Sequence, residues 1–387
     1  MGWFSLLLSS VGLFLSLWIW LPAPIFSLLP LSVGAPEISP LLGLGNAIAL
    51  LFALVGKATL PGRLALAFSV AALVLSVWPL SQLPGVIRQA NQEMTAQFGQ
   101  SVLSTSAPTM RPGPFSLKTL FLGISPSPNV RHQRAIPFAK SEGITLTLEV
   151  YNPPQPGKHP TVFAIYGGAW RQGQPTDNED GHRYLAAQGY TVIALDYRHT
   201  PEHPFPAQVE DIKTALAFIK EHAEQYEVDL TRMAVLGRSA GAHLAMLLAY
   251  SKTDPPLRGV VNYYGPVDLA AAYQNPPRPD PINTRAVLND FLGGPPAAMP
   301  SHYEQASPIH QIQPNLPPTL TLQGQRDHIV EAKYARRLTE QLRSEGNAAV
   351  LIELPWADHA FDAVFNGLSN QAALYYIERF LAMVLRR

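Results

Sequence analysis

The sequence predicts an α/β fold, in which a mostly parallel sheet is covered by helices on both faces, preceded by about three transmembrane helices. From about residue 130 onward, short apolar runs alternate with segments of helical periodicity, a pattern typical of parallel sheets. Up to Pro84, by contrast, long apolar stretches predominate, and the charged residues there are Glu37, Lys57 and Arg63. The two parts of the chain therefore have different compositions.

Three apolar stretches occupy residues 3–21, 40–56 and 64–83. The first and third are long enough to cross about 30 Å of hydrocarbon, and the second is marginal. A cleaved signal peptide is the alternative for the first stretch, but no Lys or Arg precedes it and no clear small-residue cleavage site follows. A buried helical hairpin is the alternative for the other two, although neither has a charged face. We therefore predict a membrane region over residues 1–84.

The few charges predict the orientation of these helices. Lys57 and Arg63 flank the short connection between the second and third stretches, whereas the first connection contains Glu37 alone. Since positive charge is retained on the cytoplasmic side, three spans place the N-terminus inside and the remainder of the chain outside. This predicts a multi-pass membrane protein with an extracytoplasmic domain.

Residues 85–129 are predicted to connect the membrane region to that domain. Apolar residues recur at helical spacing over residues 86–98, which predicts an amphipathic helix. Residues 101–129 are rich in Ser, Pro and Gly and predict a linker, interrupted by an apolar patch at residues 117–124.

Residues 130–387 are predicted to form the α/β domain. A Pro-rich stretch near residues 270–314 is expected to be irregular, and it is interpreted either as a cap over a site or as a plain surface excursion. The predicted strands lie at residues 145–151, 161–166, 191–195, 233–236, 259–264, 319–322 and 348–354, and the predicted helices at 180–188, 208–226, 242–250, 331–344 and 371–385.

One motif in this domain carries a specific chemical prediction. The string Gly237-Arg238-Ser239-Ala240-Gly241 follows an apolar strand and precedes a helix rich in Ala and Leu. A serine between two glycines at a strand-to-helix turn is the nucleophile elbow pattern. The turn exposes the serine oxygen, and the following helix N-terminus favours negative charge. We therefore predict that Ser239 is a nucleophile.

A serine nucleophile needs a base and an acid that orients the base. Asp327 and His359 each follow a late predicted strand, in the chain order serine, acid, histidine. Asp358 adjoins His359 and cannot easily face it, and His243 on the elbow helix is interpreted as structural. The predicted triad is Ser239, Asp327 and His359.

The negative oxygen that forms during acyl transfer needs backbone N–H donors. Ala240 directly follows the predicted nucleophile and supplies one donor. Gly167 and Gly168 follow the strand predicted at residues 161–166, where glycine allows close approach of the main chain. We therefore predict an oxyanion hole formed by Gly167, Gly168 and Ala240.

From about residue 144 to the C-terminus, the chain resembles α/β-hydrolase esterases and lipases of the hormone-sensitive-lipase and feruloyl-esterase-like groups. The resemblance rests on the elbow and on Tyr166-Gly167-Gly168-Ala169-Trp170, Asp196-Tyr197-Arg198, residues 201–207, residues 324–327 and Asp358-His359-Ala360-Phe361. It implies an α/β-hydrolase fold with the same triad and oxyanion donors. The chain departs from the family pattern at Tyr166, Ala169 and Arg238, which bears on the substrate rather than on the reaction.

These patterns predict a membrane-anchored hydrolase of carboxylic esters that acts through an acyl-enzyme on a small-molecule ester. An acyltransferase using the same intermediate, a serine peptidase and a non-catalytic receptor or scaffold are the alternatives. The net charge of zero gives no support for nucleic-acid binding, and the chain has no cysteine. No cofactor and no metal site are expected, and the oligomeric state is left open.

Overall fold

Eight strands form one sheet in the order β1-β2-β4-β3-β5-β6-β7-β8 in the computed structural model, which describes residues 1–104, 109–124 and 129–386. β1 and β2 pair antiparallel, as do β2 and β4, and every later pair is parallel. The mostly parallel α/β sheet predicted from the sequence is thus confirmed, with β1 as an additional antiparallel edge strand. The strands are β1 (Arg131–Ser141), β2 (Ile144–Asn152), β3 (His159–Ile165), β4 (Thr191–Leu195), β5 (Val228–Arg238), β6 (Val260–Tyr263), β7 (Thr319–Gly324) and β8 (Ala349–Leu354).

Two apolar cores lie on the two faces of this sheet. The central strands are almost continuously buried, because a parallel sheet is covered by helices on both sides. Since β3, β5, β7 and β8 run parallel, their carboxyl ends share one edge of the sheet. Outside the Pro-rich insertion, the helices that follow strands β3, β4, β5, β7 and β8 are α7 (Glu179–Ala187), α8 (Ala207–Glu221), α9 (Ala240–Tyr250), α13 (Ala332–Ser344) and α14 (Leu368–Arg386).

The Pro-rich insertion differs from its predicted irregular form. It contains the short helices α10 (Leu269–Gln274), α11 (Thr284–Leu292) and α12 (Pro300–Gln305). The side chains of Asp268 and Asn283 cap the first two by accepting hydrogen bonds from backbone N–H groups. The proline pairs Pro276-Pro277 and Pro295-Pro296 lie between these helices, so they interrupt the regular structure without abolishing it.

The N-terminal region forms a bundle of three helices, α1 (Gly2–Leu17), α3 (Ser39–Gly56) and α4 (Leu60–Phe98), with α2 (Leu29–Glu37) in the first connection. Among the residues that the structure describes, α3 and α4 are long and apolar enough to cross a membrane, by length and composition. α1 has 16 residues and is shorter than the predicted span over residues 3–21, because the chain leaves the helix at Leu17 and continues as turns.

Helix α4 is longer than predicted: the third apolar stretch and the predicted amphipathic helix form one continuous helix of 39 residues. At 1.5 Å per residue it extends about 58 Å. Its C-terminal part, with Leu83, Val86, Ala90 and Met94, belongs to the apolar core on one face of the sheet. The two parts of the chain are therefore connected by a helix, and no loop separates them at residue 84.

The predicted linker is partly structured. It contains α5 (Ser101–Ser104) and α6 (Leu117–Leu122), whereas residues 105–108 and 125–128 lie outside the described residues. Between the helices, the backbone N–H of Arg111 donates to Glu378 and its guanidinium donates to Gln371. Residues 109–124 are thereby attached to α14.

Candidate active site

The turn between β5 and α9 holds Ser239 in a strained conformation, with φ 51° and ψ −121°. Two glycines make this turn possible. A Cβ atom on Gly237 would lie 2.2 Å from the carbonyl oxygen of Gly241, and one on Gly241 would lie 2.2 Å from that of Ile165. Both positions therefore exclude side chains, and the Ser239 hydroxyl stands at the carboxyl edge of the sheet.

The structure brings the three residues of the predicted triad together. The Nε2 atom of His359 lies 2.9 Å from the Oγ atom of Ser239, and its Nδ1 atom lies 2.8 Å from Oδ2 of Asp327. Asp327 and His359 are buried, whereas Ser239 is half-buried. The three loops that carry them follow β5, β7 and β8, which end at the same edge of the sheet.

Hydrogen bonds around Asp327 define which ring nitrogen of His359 carries the proton. The backbone N–H groups of Ile329 and Val330 donate to Oδ1 of Asp327, and the Gln323 amide donates to Oδ2. Because a carboxylate accepts hydrogen bonds, Nδ1–H of His359 donates to it. Nε2 is then free to accept the proton of the Ser239 hydroxyl.

The competing residues have other partners. Asp358 accepts from its neighbour's backbone N–H and lies 2.9 Å from Nδ1 of His328. Burial alone would lower the pKa of His328, but the hydrogen bond with Asp358 and its charge raise that pKa. The ring of His243 is fully buried, where its Nε2 atom lies 2.6 Å from the Ala306 carbonyl oxygen and burial lowers its pKa to about 4. It is a packed, neutral histidine whose ring nitrogens have Ala306 and Trp170 as partners.

The predicted oxyanion donors lie around the serine. Ala240 is the first residue of α9, so its N–H has no acceptor within the helix. A Cβ atom on Gly167 would lie 3.2 Å from Cβ of Ser239, and Gly168 has a φ of 127°. Glycine is thus required at both positions, and the main chain there approaches the serine closely.

Tyr166, where the chain departs from the family pattern, directly precedes Gly167 and Gly168 and anchors their loop. Its hydroxyl donates to Asp196 at 2.6 Å, and its ring stacks on Tyr197 with centroids 4.4 Å apart. Burial raises the pKa of Tyr166, which keeps the hydroxyl protonated as a donor. Gly173 must lack a side chain here, because its Cβ would lie 2.3 Å from the Tyr166 ring.

Sequence analysis missed a second polar group beside the triad. Arg238 at the elbow is buried and pairs with Asp362, and the Tyr264 hydroxyl donates to the same carboxylate. The Tyr264 ring lies against His359, with centroids 4.6 Å apart. The Arg238–Asp362–Tyr264 group is therefore in contact with the ring of the histidine. The unusual Arg238 at the elbow was the available signal, but its partners come from distant parts of the chain.

A cavity of about 870 Å³ opens at Ser239 and His359. On the hydrolase side it is lined by Gly167, Gly168, Tyr264 and Ile282. Its other wall comes from residues 26–33 of the N-terminal region, which sequence analysis had assigned to the membrane alone. The volume lies within the range of small-molecule sites.

Within the part of the chain that the structure describes, no group of three or more His, Asp or Glu side chains is arranged to hold a metal ion. The polar groups at the cavity include the serine, the histidine and the Arg238–Asp362 pair, and the lining also contains the polar residues Ser27, Gln172, Gln174, Asp177 and Asn178. The fold and this geometry together define a protein of the α/β-hydrolase class with a serine at the nucleophile elbow.

Comparison with known protein families agrees with this assignment to the α/β-hydrolase class. The model of the BD-FAE family matches residues 148–342, which is just over half of the chain, and the chain belongs to this family. It is 32% identical over 246 residues to the probable carboxylic ester hydrolase LipM of Mycobacterium tuberculosis, covering 59% of this chain and 55% of that protein. It is 31% identical over 248 residues to esterase LipC of the same organism, covering 59% of each. The chain thus spans little more than half the length of these relatives.

Solved structures show the same fold. An esterase of Pyrobaculum calidifontis aligns with a TM-score of 0.58 and 23% identity, covering 74% of this chain and 97% of that chain. Est2, an esterase of Thermogutta terrifontis, aligns with a TM-score of 0.52 and 23% identity over 66% and 92%. The α/β-hydrolase fold predicted from the resemblance is therefore confirmed.

Proposed function

We propose that the protein is a membrane-anchored serine hydrolase that cleaves carboxylic esters through an acyl-enzyme. The observation that carries this proposal is the continuous hydrogen-bonded chain from Ser239 through His359 to Asp327, at distances of 2.9 and 2.8 Å. The names of the relatives, esterases and a probable carboxylic ester hydrolase, support the reaction type.

In the first half of the reaction, Oγ of Ser239 attacks the ester carbonyl carbon while its proton passes to Nε2 of His359. Asp327 stabilises the imidazolium that forms. The carbonyl oxygen becomes negative and accepts hydrogen bonds from the N–H groups of Ala240, Gly167 and Gly168. The bond to the alcohol then breaks, and His359 returns the proton to the departing oxygen.

In the second half, water attacks the acyl-enzyme carbonyl and gives its proton to His359. The tetrahedral intermediate collapses, the proton moves to Oγ of Ser239, and the carboxylic acid leaves. Every proton is carried by the same imidazole, so the position of His359, which contacts Asp327 and Tyr264, governs both halves.

Membrane anchoring is supported by the distribution of side chains in the helical bundle. Its interior contains Ser9 hydrogen-bonded to Ser69, and Asn46 bonded to Ser16 and Ser76. Its outside carries large apolar side chains, and a bundle with this arrangement is stable in lipid rather than in water. The outward-facing residues include Trp3, Leu7, Val11, Phe14, Leu44, Leu51, Val55, Leu64, Val70 and Val74.

Three spans are supported by the packing of α1 beside α4. The pairs Ser9–Ser69 and Ser16–Ser76 share the same offset in sequence, so these two helices run parallel at a constant register. Lys57 and Arg63 lie at the end of the bundle remote from the hydrolase domain. By the positive-inside rule, that end is cytoplasmic and the catalytic domain is extracytoplasmic. The chain then comprises a membrane region (residues 1–84), a connection (85–129) and a catalytic domain (130–387), with the insertion at 270–314 over the site.

Replacement of Ser239 by Ala tests the reaction. The full-length protein in detergent is assayed with p-nitrophenyl acetate, and we expect turnover to fall by roughly three orders of magnitude or more in Ser239→Ala. The unfolding temperature serves as the control for folding. Hydrolysis at the wild-type rate by a folded Ser239→Ala variant contradicts the proposal.

Reporter fusions test the topology. Alkaline phosphatase fused after Arg387 is expected to be active and green fluorescent protein at the same point to be dark. The same reporters fused after Gly56, at the end of the second span, are expected to give the opposite results. If both sites report the same side, the three-span topology is wrong.

A further inference from the structure

The connection between the first two bundle helices, residues 18–38, forms part of the active-site cavity. Phe26, Leu29, Pro30 and Val33 of this α1–α3 connection line the same cavity as Ser239. These four side chains are apolar, and Ser27 is the polar residue of the same connection at the cavity. A substrate held at Ser239 therefore meets a surface that comes from the membrane region and not from the hydrolase fold.

This wall is fixed to the hydrolase domain at the acid and at α14. The N–H of Ala23 donates to Nε2 of His328 at 3.1 Å, and the guanidinium of Arg326 lies over the ring of Trp20 at 4.7 Å. His328 and Arg326 are the two neighbours of Asp327 in sequence. The connection therefore packs directly on the loop that carries the predicted acid.

The second attachment is a buried carboxyl group. Oε2 of Glu37 accepts from the backbone N–H of Ser369 at 2.7 Å, and Oε1 accepts from its hydroxyl at 2.6 Å. Glu37 is completely buried. Since a buried carboxyl group is costly unless it is hydrogen-bonded, this contact holds α2 in one position against the catalytic domain.

The wall also lies at the boundary of the proposed membrane. Val33 is six residues before Ser39, where α3 begins, and lies in α2, which ends at Glu37, so it is within about 14 Å of the span. Leu21, Ile25 and Phe26 are exposed along the connection and continue the apolar surface of α1. A row of exposed apolar side chains therefore extends along the connection from the bundle to the cavity.

Helix α6 adds a second apolar surface nearby. Its Leu117, Phe121 and Leu122 are exposed, and the carbonyl of Leu120 accepts a hydrogen bond from Asn366. Asn366 is three residues from Ser369, the partner of Glu37. Apolar groups thus face solvent on the same side of the catalytic domain as the α1–α3 connection, where an interfacial helix would contact lipid.

We propose that the substrate is a lipid ester with a long apolar chain, which enters from the outer face of the bilayer and lies against Phe26, Leu29 and Val33. This inference rests on the proposed esterase function and specifies its substrate class. The hydrolase domain adds Ile282 and Ile329 to the lining, beside the polar residues Gln172, Gln174, Asp177 and Asn178. Apolar groups from both parts of the protein are therefore available to an acyl chain. Each further methylene that is buried raises binding roughly fourfold.

Chain-length selectivity tests the wall. Full-length wild-type protein in detergent is assayed with p-nitrophenyl acetate and p-nitrophenyl decanoate, and we expect a higher kcat/KM for the decanoate. Val33→Trp fills the membrane-side wall and lowers the decanoate-to-acetate ratio of kcat/KM about 10-fold or more. The matched control Val74→Trp, on the outward face of α4, leaves both esters at the wild-type rate.

Leu29→Ala is the second variant, since it removes a contact without adding bulk. We expect it to lower the same ratio severalfold. If wild-type protein hydrolyses the acetate but shows no preference for the decanoate, or if both wall variants leave the ratio unchanged, the lipid-ester inference is wrong while the esterase proposal stands. If wild-type protein hydrolyses neither p-nitrophenyl ester, nor 1,2-dioleoylglycerol in vesicles, the esterase proposal itself fails.

Reconstitution tests whether the bilayer is the source of the substrate. The protein is placed in vesicles of ether-linked phosphatidylcholine, which offers no carboxylic ester, with 1,2-dioleoylglycerol as the probe. Release of oleate that is lost in Ser239→Ala, and reduced in Val33→Trp but not in Val74→Trp, is the expected result. Decanoate hydrolysis in detergent without any release of oleate from these vesicles overturns entry from the bilayer.

Discussion

The helical bundle and the hydrolase domain bury opposite kinds of side chain. The bundle encloses Ser9, Ser16, Asn46 and Ser69 and exposes large apolar residues, whereas the hydrolase domain encloses aromatic and aliphatic side chains on both faces of its sheet. The proposed membrane location of the bundle accounts for the difference: lipid tails are as apolar as a leucine side chain, so burying large apolar groups gains little in lipid and close packing of small residues stabilises the bundle.

Helix α4 displays both kinds of surface along one stripe. Its buried positions recur at three- and four-residue intervals from Gly62 to Met94. They are Gly62, Ala65, Ser69, Ala72, Ser76 and Pro79 in the first part and Leu83, Val86, Ala90 and Met94 in the second. The exposed face changes at the same point, from Leu64, Val70 and Val74 to Arg88, Gln89 and Gln92. The helix therefore marks where the proposed membrane ends, near residue 80.

The buried polar groups of the two regions also differ in their expected roles. In the bundle they join helices, and in the hydrolase domain several of them join reacting groups. Substitutions in the hydrolase site should change rates at nearly constant stability, and substitutions in the bundle should do the reverse. Substitutions in each of the two regions test this separation.

Asp327→Asn should lower kcat by roughly 10³- to 10⁴-fold, because the amide favours the wrong tautomer of His359. Asp358→Asn is the matched control, since Asp358 pairs with His328, and it should cost far less. Both are measured with p-nitrophenyl acetate, with the unfolding temperature recorded in parallel. A larger loss from the Asp358 change than from the Asp327 change would show that the acid is misassigned.

Met94→Ala should lower the free energy of unfolding of the hydrolase domain by about 2–5 kcal/mol, because Met94 is fully buried in its core and alanine leaves a cavity. Gln92→Ala, two residues away on the exposed side, should change it by less than about 0.5 kcal/mol. Denaturant unfolding of the full-length protein in detergent measures both. Equal effects from the two variants contradict packing of the C-terminal part of α4 on the sheet.

Ser69→Leu should destabilise the bundle by about 1–3 kcal/mol, because the larger side chain must enter a packed interior and displaces the hydrogen bond to Ser9. Val70→Leu, on the exposed side of the bundle, should leave the stability unchanged. Thermal unfolding in detergent micelles compares them. If the Val70 change is the more destabilising, the interior and exterior faces of the bundle are wrongly assigned.

Glu37 should make stability depend on pH. Burial raises its pKa to about 8 although the hydrogen bonds from Ser369 oppose the change, so the folded state holds a proton that the unfolded state releases near the usual pKa of Glu, about 4.3. Stability is then greatest below that unfolded value and declines as the pH rises to 8. Glu37→Gln should remove this decline in unfolding temperature between pH 5 and 8. An identical decline in the variant would exclude Glu37 as its source.

Much of the fold and of the candidate site is predictable from local sequence patterns. The elbow glycines predict the turn because Gly237 and Gly241 leave no room for a Cβ atom, and the order of serine, acid and histidine follows from the strands that precede them. These features depend on residues close together in sequence. The sheet and the fold class were predictable for the same reason.

The features that could not be predicted depend on contacts across the chain. The pairing of Arg238 with Asp362, or of Glu37 with Ser369, joins residues far apart in sequence, and no periodicity indicates it. β1 was missed because much of its length is exposed and interrupted by Pro137. The continuation of α4 past its two prolines was missed because Pro79 and Pro84 predict a break. The cavity wall contributed by residues 26–33 was hidden because an apolar segment beside a membrane span is interpreted first as membrane.

The most direct test of the central claim locates the nucleophile by chemistry. Full-length protein in detergent is treated with an alkyl fluorophosphonate, digested, and analysed by mass spectrometry. We predict a stoichiometric adduct on Ser239, with ester hydrolysis lost in proportion to labelling. An adduct on a different serine that accompanies the loss of activity, or undiminished hydrolysis after complete labelling of Ser239, would contradict the account.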